Sequence, residues 1–200
     1  AGNASPLTDG AAAVLLMEEK TAKKLGFEPR AWLRSWGFTA LDPAWQMLMG
    51  PSFATPIALE HGGLTMDDID VVDMHEAFAA QMLSNLQAFK SAEWAKKYLN
   101  RDEPIGEIPA EKLNLYGGSI SLGHPFAATG ARQILTMANE LQRRDKGTAL
   151  VTQCAAGGLG AAIVTDFIQG ILTIIFSFIL LPFVLYKVGG MAGIHKTITD

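Results

Sequence analysis

Cysteine is nearly absent: the 200 residues hold one, Cys154. An intramolecular disulfide framework is therefore excluded, which fits a reducing compartment. An excess of positive charge is also missing. Sixteen Lys and Arg face 20 Asp and Glu, for a formal net charge of −4, and no basic cluster offsets that balance, so no nucleic-acid partner is expected. Internal repeats and low-complexity tracts are lacking. The chain opens Ala1-Gly2-Asn3-Ala4-Ser5 with neither an initiator Met nor the basic n-region of a signal peptide. The expectation is a piece of a longer protein. Up to Asp166 there is no bilayer-length apolar run; from Phe167 to Tyr186 no residue is charged. Such a run, at about 1.5 Å per residue, matches the roughly 30 Å core of a bilayer. The expectation there is one hydrophobic, membrane-spanning helix.

What precedes that run alternates between strand and helix patterns. Ala11 to Met17 reads as a short buried strand, and Glu18 to Leu25 as a helix closed by Gly26. Arg30 to Leu41 is a predicted strand, Pro56 to His61 begins a helix, and Thr65 to Asp68 has the form of a capping box. Ile69 to Met74 is the next strand. The helix after it is expected to bury Phe78, Met82, Leu86 and Phe89 at three- and four-residue spacing. Two prolines mark Asn100 to Pro109 as a surface connection. Phe126 to Arg144 is a long helix, and strands over Ala149 to Gln153 and Ala161 to Thr165 flank a small-residue turn. This order predicts an α/β fold, a layered mixed five-stranded sheet with helices.

The organising stretch is Asn114 to Arg132, a glycine-flexed loop that delivers His124 to the mouth of a helix. Pro125 suits the first helical position. A helix N-terminus disfavours protonation of a nearby imidazole, and a neutral imidazole can take a proton. A turn histidine satisfied by backbone is the plainer alternative. His75 and Cys154 fall at two further turns next to strands. Together the three side chains would supply a base, an oxyanion donor and a second acid/base group. Zinc is the rival use of His and Cys, although no close-spaced ligand pair is present. Taken singly, Cys154 also suits a small buried apolar position.

Four strings then stand in the order and spacing of one family: Asn3-Ala4-Ser5 with Asp9-Gly10-Ala11-Ala12-Ala13, His75-Glu76-Ala77-Phe78, Gly117-Gly118-Ser119 through Gly123-His124-Pro125, and Cys154-Ala155-Ala156-Gly157-Gly158. From Ala1 to about Val164 the chain resembles the thiolases, most of all the fatty-acid-oxidation type with the β-subunit of the trifunctional complex and its bacterial relatives. The resemblance implies an acyl-CoA C-acyltransferase, with coenzyme A as substrate and no other cofactor. His124 matches the base that activates the nucleophilic cysteine, and Cys154 the acid/base at the substrate α-carbon. His75 matches the residue completing the first oxyanion hole, and the Ala156 N–H a donor of the second. Ser5 and Phe78 match positions along the coenzyme A channel. The family's nucleophile lies in its N-terminal half, and no second cysteine occurs here, so turnover by this chain alone is not expected.

The expected organisation is the end of a thiolase N-terminal domain (1–29), a thiolase C-terminal domain (30–166) and a hydrophobic helix with its tail (167–200). Residues from Gly157 through Gly190 resemble a piece of a sodium:solute symporter, which points to a chimeric gene or a mis-joined assembly. Membrane attachment through 167–186 is then expected, with the thiolase part cytoplasmic. A homo-oligomer or a β-oxidation complex is the partner implied for the full-length family. A membrane transport fragment and a non-catalytic coenzyme A binding module are the alternative functions.

Overall fold

The computed structural model of the chain describes residues 2–167. Four strands form one sheet in the order β1-β4-β3-β2: β1 is Trp32–Ala40, β2 Val71–Met74, β3 Gly147–Ala155 and β4 Leu159–Phe167. β4 runs antiparallel to both β1 and β3, whereas β2 and β3 are parallel. Parallel neighbours need a long crossover. Here it carries α3 (Ala79–Phe89), α4 (Ala92–Leu99), the short α5 (Ser119–Leu122) and α6 (Thr129–Arg144). The remaining helices, α1 (Glu19–Leu25) and α2 (Gly50–Gly62), flank β1 in the chain.

Strand alternation sorts the core into two layers. Val72, Met74, Leu150, Ala162 and Val164 pack with Ala54, Ala58 and Leu59 of α2 and with Met82 and Phe89 of α3. Val71, Ala149 and Val151 face the other way, against Met137 and Leu141 of α6. β2 is buried at all four positions, as expected of a parallel strand covered on both faces.

Several local expectations hold. Gly26 closes α1 in the left-handed conformation, at φ 74°. Asp68 Oδ2 accepts from both Thr65 N and Thr65 Oγ1 at 2.8 Å, the reciprocal cap that the Thr-x-x-Asp spacing indicated. Others are corrected. The sheet has four strands, not five, because Ala11 to Met17 is irregular: neither sheet edge pairs with it, and Leu15 and Leu16 are exposed. An apolar run of that length carries no information about whether a strand edge is within reach. Helix α2 starts six residues before Pro56, which lies inside it. Pro125 is not the first helical residue; it opens a turn whose carbonyl receives Ala128 N and Thr129 N, and α6 begins at Thr129.

Phe167 ends β4, paired with Gly147, so it does not begin a membrane helix. The remainder of the expected membrane span, 168–186, and most of the symporter-like stretch lie outside the described residues. Among the described residues no helix is long and apolar enough to cross a membrane. Gly157 to Phe167 of that stretch form the turn and return strand of the β3–β4 hairpin.

One close approach fixes the distance between sheet and helix. A Cβ on Gly37 of β1 would lie 2.5 Å from Ala54 O and 2.9 Å from Ala58 N of α2. Both are backbone atoms that cannot step aside singly. Gly37→Ala is expected to lower stability by about 1–3 kcal/mol, read as a reduced urea midpoint. An unchanged midpoint would show that α2 rides freely on β1.

Candidate functional site

The site forms where β2 ends. His75 follows the strand directly, and its N–H continues the ladder to Thr152 O at 2.9 Å. His75 is 3 % exposed, and its Nδ1 lies 2.8 Å from the hydroxyl of the fully buried Ser119. His124 comes from the loop between α5 and α6. Its N–H donates to Pro6 O at 3.2 Å, and its Nδ1 lies 2.7 Å from Thr129 Oγ1. The two imidazole centroids are 4.1 Å apart, with planes inclined by 40°. Two residues 49 positions apart in sequence, as their numbers show, are thus in direct contact.

Glu76 makes that contact geometrically possible. Its carboxylate accepts from Asn114 Nδ2 at 2.6 Å and from Ile120 N at 3.0 Å. Asn114 in turn mimics a strand neighbour: its Oδ1 accepts from Met74 N at 2.8 Å, and its Nδ2 donates to Met74 O at 3.0 Å. Gly118 lies against the carboxylate so closely that a Cβ there would overlap it. The loop bearing Ser119 and His124 is therefore fastened to the end of β2 by one acidic side chain.

The N-terminal segment threads across the same place. Ser5 N donates to Ala77 O at 3.0 Å, Ala79 N donates to Asn3 O at 2.8 Å, and Leu7 bridges to His124. Ser5 is partly buried there and Phe78, bridged to Ala4, is about half exposed. Cys154 is the penultimate residue of β3, paired with Gly160 and buried. Since Met74 pairs with Thr152, His75 and Cys154 leave the parallel pair at the same end. Among the described residues no hydrogen bond joins Cys154 to either imidazole, and Ala156 is exposed in the next turn. No three His, Cys, Asp or Glu side chains gather there to hold a metal, again among the described residues.

Electrostatics favour neutral forms. Burial pushes His75 down to about 4, helped by the His124 ring and the Arg132 guanidinium. His124 is lowered by burial and then by Arg132. Burial raises the Cys154 thiol to about 11. The Arg132 cation is itself anchored: Nη1 is 2.7 Å from Asp73 Oδ2, and Gln133 Nε2 donates to Asp73 Oδ1 at 2.5 Å. Burial raises Asp73 despite these partners. Glu76, Asn114, Ser119, Thr129, Asp73 and Arg132 are the participants that sequence reading assigned no role. Thr129 had a usable signal, since five residues past a histidine it falls where a first helical turn folds back.

A buried neutral histidine couples stability to pH. The folded value of about 4 lies below the ordinary 6.5, so the unfolded chain binds the proton more readily. His75 then contributes full stability above pH 6.5 and loses it progressively as pH falls towards 4, on the order of 3 kcal/mol in all. Urea unfolding between pH 7 and 4.5 should show a shallower decline in His75→Asn than in the unaltered chain. Parallel declines would contradict it.

Comparison with known proteins follows the same residues. The sequence matches the family described as Thiolase, C-terminal domain, over residues 27–167. The 3-ketoacyl-CoA thiolases of Aliivibrio fischeri and Aeromonas salmonicida are each 58% identical over 166 residues, covering 83% of this chain and 38% of the relative. Among solved structures, human mitochondrial 3-ketoacyl-CoA thiolase aligns with a TM-score of 0.66 at 31% identity, over 83% of this chain and 38% of that one. The chain thus spans about two-fifths of the length of the relatives it matches. A histidine pair carried by the strand end and the glycine loop, within a match that fills most of the chain, leads to one conclusion: the chain belongs to the thiolase family of acyltransferases.

Proposed function

We propose that this chain supplies the C-terminal half of a 3-ketoacyl-CoA thiolase site and needs the remaining part of the family's length for turnover. The observation that carries the reading is the contact of two neutral imidazoles at 4.1 Å. A neutral His124 is a base able to deprotonate a nucleophilic thiol contributed from outside this chain. His75, whose Nδ1 lies against the Ser119 hydroxyl, completes an oxyanion hole for a thioester carbonyl in this reading. Cys154, with its thiol raised to about 11, keeps its proton at neutral pH. It can deliver that proton to a developing α-carbanion and recover it in the reverse direction. The Ala156 N–H serves as a donor to the second oxyanion. Ser5 and Phe78 border an entry for coenzyme A, the acyl carrier and substrate. The curated relatives' name, 3-ketoacyl-CoA thiolase, supports that substrate class.

Thiolysis of acetoacetyl-CoA tests this. The full chain alone should give no turnover. Mixed or co-expressed with the preceding part of the Aliivibrio fischeri relative, it should become active. His124→Ala should then remove about 10²–10⁴-fold of the rate, the usual worth of a general base. Turnover by the chain alone that disappears in Cys154→Ala would overturn the assignment and make Cys154 the nucleophile. Coenzyme A binding with no rescued turnover would instead favour a non-catalytic binding module.

A further inference from the structure

The polar partners of His124 determine which of its nitrogens can act. Thr129 is 2 % exposed, and its Oγ1 lies 2.7 Å from His124 Nδ1 and 3.1 Å from Pro125 O. A carbonyl oxygen only accepts, so the second contact requires the hydroxyl proton to point at Pro125. Were that proton aimed at the imidazole instead, the Thr129 lone pairs would face the Pro125 oxygen across 3.1 Å with no hydrogen between the two oxygens, although Ala128 N and Thr129 N also donate to that carbonyl. With the proton on the carbonyl, the Thr129 oxygen presents a lone pair to Nδ1, which must then carry the hydrogen. The bond from threonine to the carbonyl four residues earlier is a common arrangement in a first helical turn.

We propose that Thr129 is the positioning residue of this site, fixing His124 as the Nδ1–H tautomer so that Nε2 holds the lone pair. The proposal deepens the reading of His124 as a base and rests on it for its catalytic meaning, although the tautomer itself can be measured without catalysis. In a neutral imidazole the hydrogen bond of one nitrogen sets the role of the other. Ring orientation is set by the same bond, since the backbone N–H of His124 is tied to Pro6 and the side chain to Thr129. His75 and Phe126 then pack at 4.1 and 4.9 Å from its ring, limiting rotation without discriminating between tautomers. Arg132 adds positive charge nearby, which opposes the doubly protonated ring. The threonine hydroxyl is the group that chooses between the two neutral forms.

Long-range ¹H–¹⁵N correlation spectra of the full chain at pH 8 read the tautomer directly. The chain holds four histidines, and a His124→Asn variant identifies the signals of interest. The expected spectrum shows a protonated, pyrrole-type Nδ1 and a pyridine-type Nε2. Thr129→Val, which keeps the shape and removes the hydroxyl, should shift His124 towards the Nε2–H form, and Thr129→Ser should restore the original pattern. An Nε2–H tautomer in the unaltered chain, or an unchanged spectrum in Thr129→Val, would overturn the proposal. The first of these outcomes does not depend on Thr129→Val, so a folding failure in that variant cannot shield it. In the complemented enzyme Thr129→Val should lower kcat about 10- to 100-fold, a fraction of a general base's worth, with Thr129→Ser close to the unaltered rate. If complementation yields no turnover at all, the thiolase reading fails while the spectra still decide the tautomer.

Discussion

The carboxylate of Glu76 ties the candidate site together. On one side it meets Asn114, whose amide is fastened to both backbone groups of Met74; on the other it receives Ile120 N at the start of a short helix. A hydrogen bond to a charged acceptor is stronger than one between neutral groups, and these join Glu76 to a loop far along the chain. Ser119 and His124 take their places from that fastening, and the pairing of the imidazoles follows from it. Gly118 is the condition on which the arrangement stands, because any larger residue there would occupy the space of the carboxylate.

Charge management forms the second layer. Burial keeps the two imidazoles and the Cys154 thiol uncharged, while a cation beside the imidazoles, Arg132, is compensated by Asp73 from within the sheet. Asp73 and His75 are alternate residues of the same strand and its continuation, so β2 supplies both the anion that anchors the cation and a ring that must stay neutral. A buried ion pair of this kind is a weak source of stability. Its effect at this position is to hold a positive charge at a fixed distance from two imidazoles.

Sequence patterns revealed the parts of this chain whose causes are local. The Thr65 cap and the Gly26 stop each depend on residues a few positions apart; of the face expected to be buried, Met82 and Phe89 are buried, Leu86 is partly so, and Phe78 stands half exposed just ahead of α3. His75, His124 and Cys154 could be singled out because reactive side chains beside glycine-rich turns are chemically conspicuous. Glu76, Asn114 and Thr129 were not, since an acid, an amide and a hydroxyl acquire meaning only from the backbone groups that reach them. The missing fifth strand has the same origin: Ala11 to Met17 has strand composition, and only the arrangement of the sheet reveals that no edge accepts it. Pro56 looks like a helix start in sequence, and that hides the six residues of α2 that precede it. Within the helix, a proline forfeits one backbone bond and can still be carried by packing on both sides.

The sheet order has a consequence for how the chain comes to be folded. Among the described residues β1 pairs with β4 alone, and their register joins Trp32 to Asp166 and Ala40 to Leu159. At ribosomal speeds, the interval between making the two strands is roughly 10 s. Throughout that interval β1 has no strand to pair with, yet it carries Leu33, Trp36 and Phe38, which stay exposed even after folding. Long-range pairing of this type is slow to close because the loop entropy must be overcome before the contacts form. A nascent chain of this sequence is therefore a natural client for holding factors that cover apolar strands until synthesis reaches Phe167.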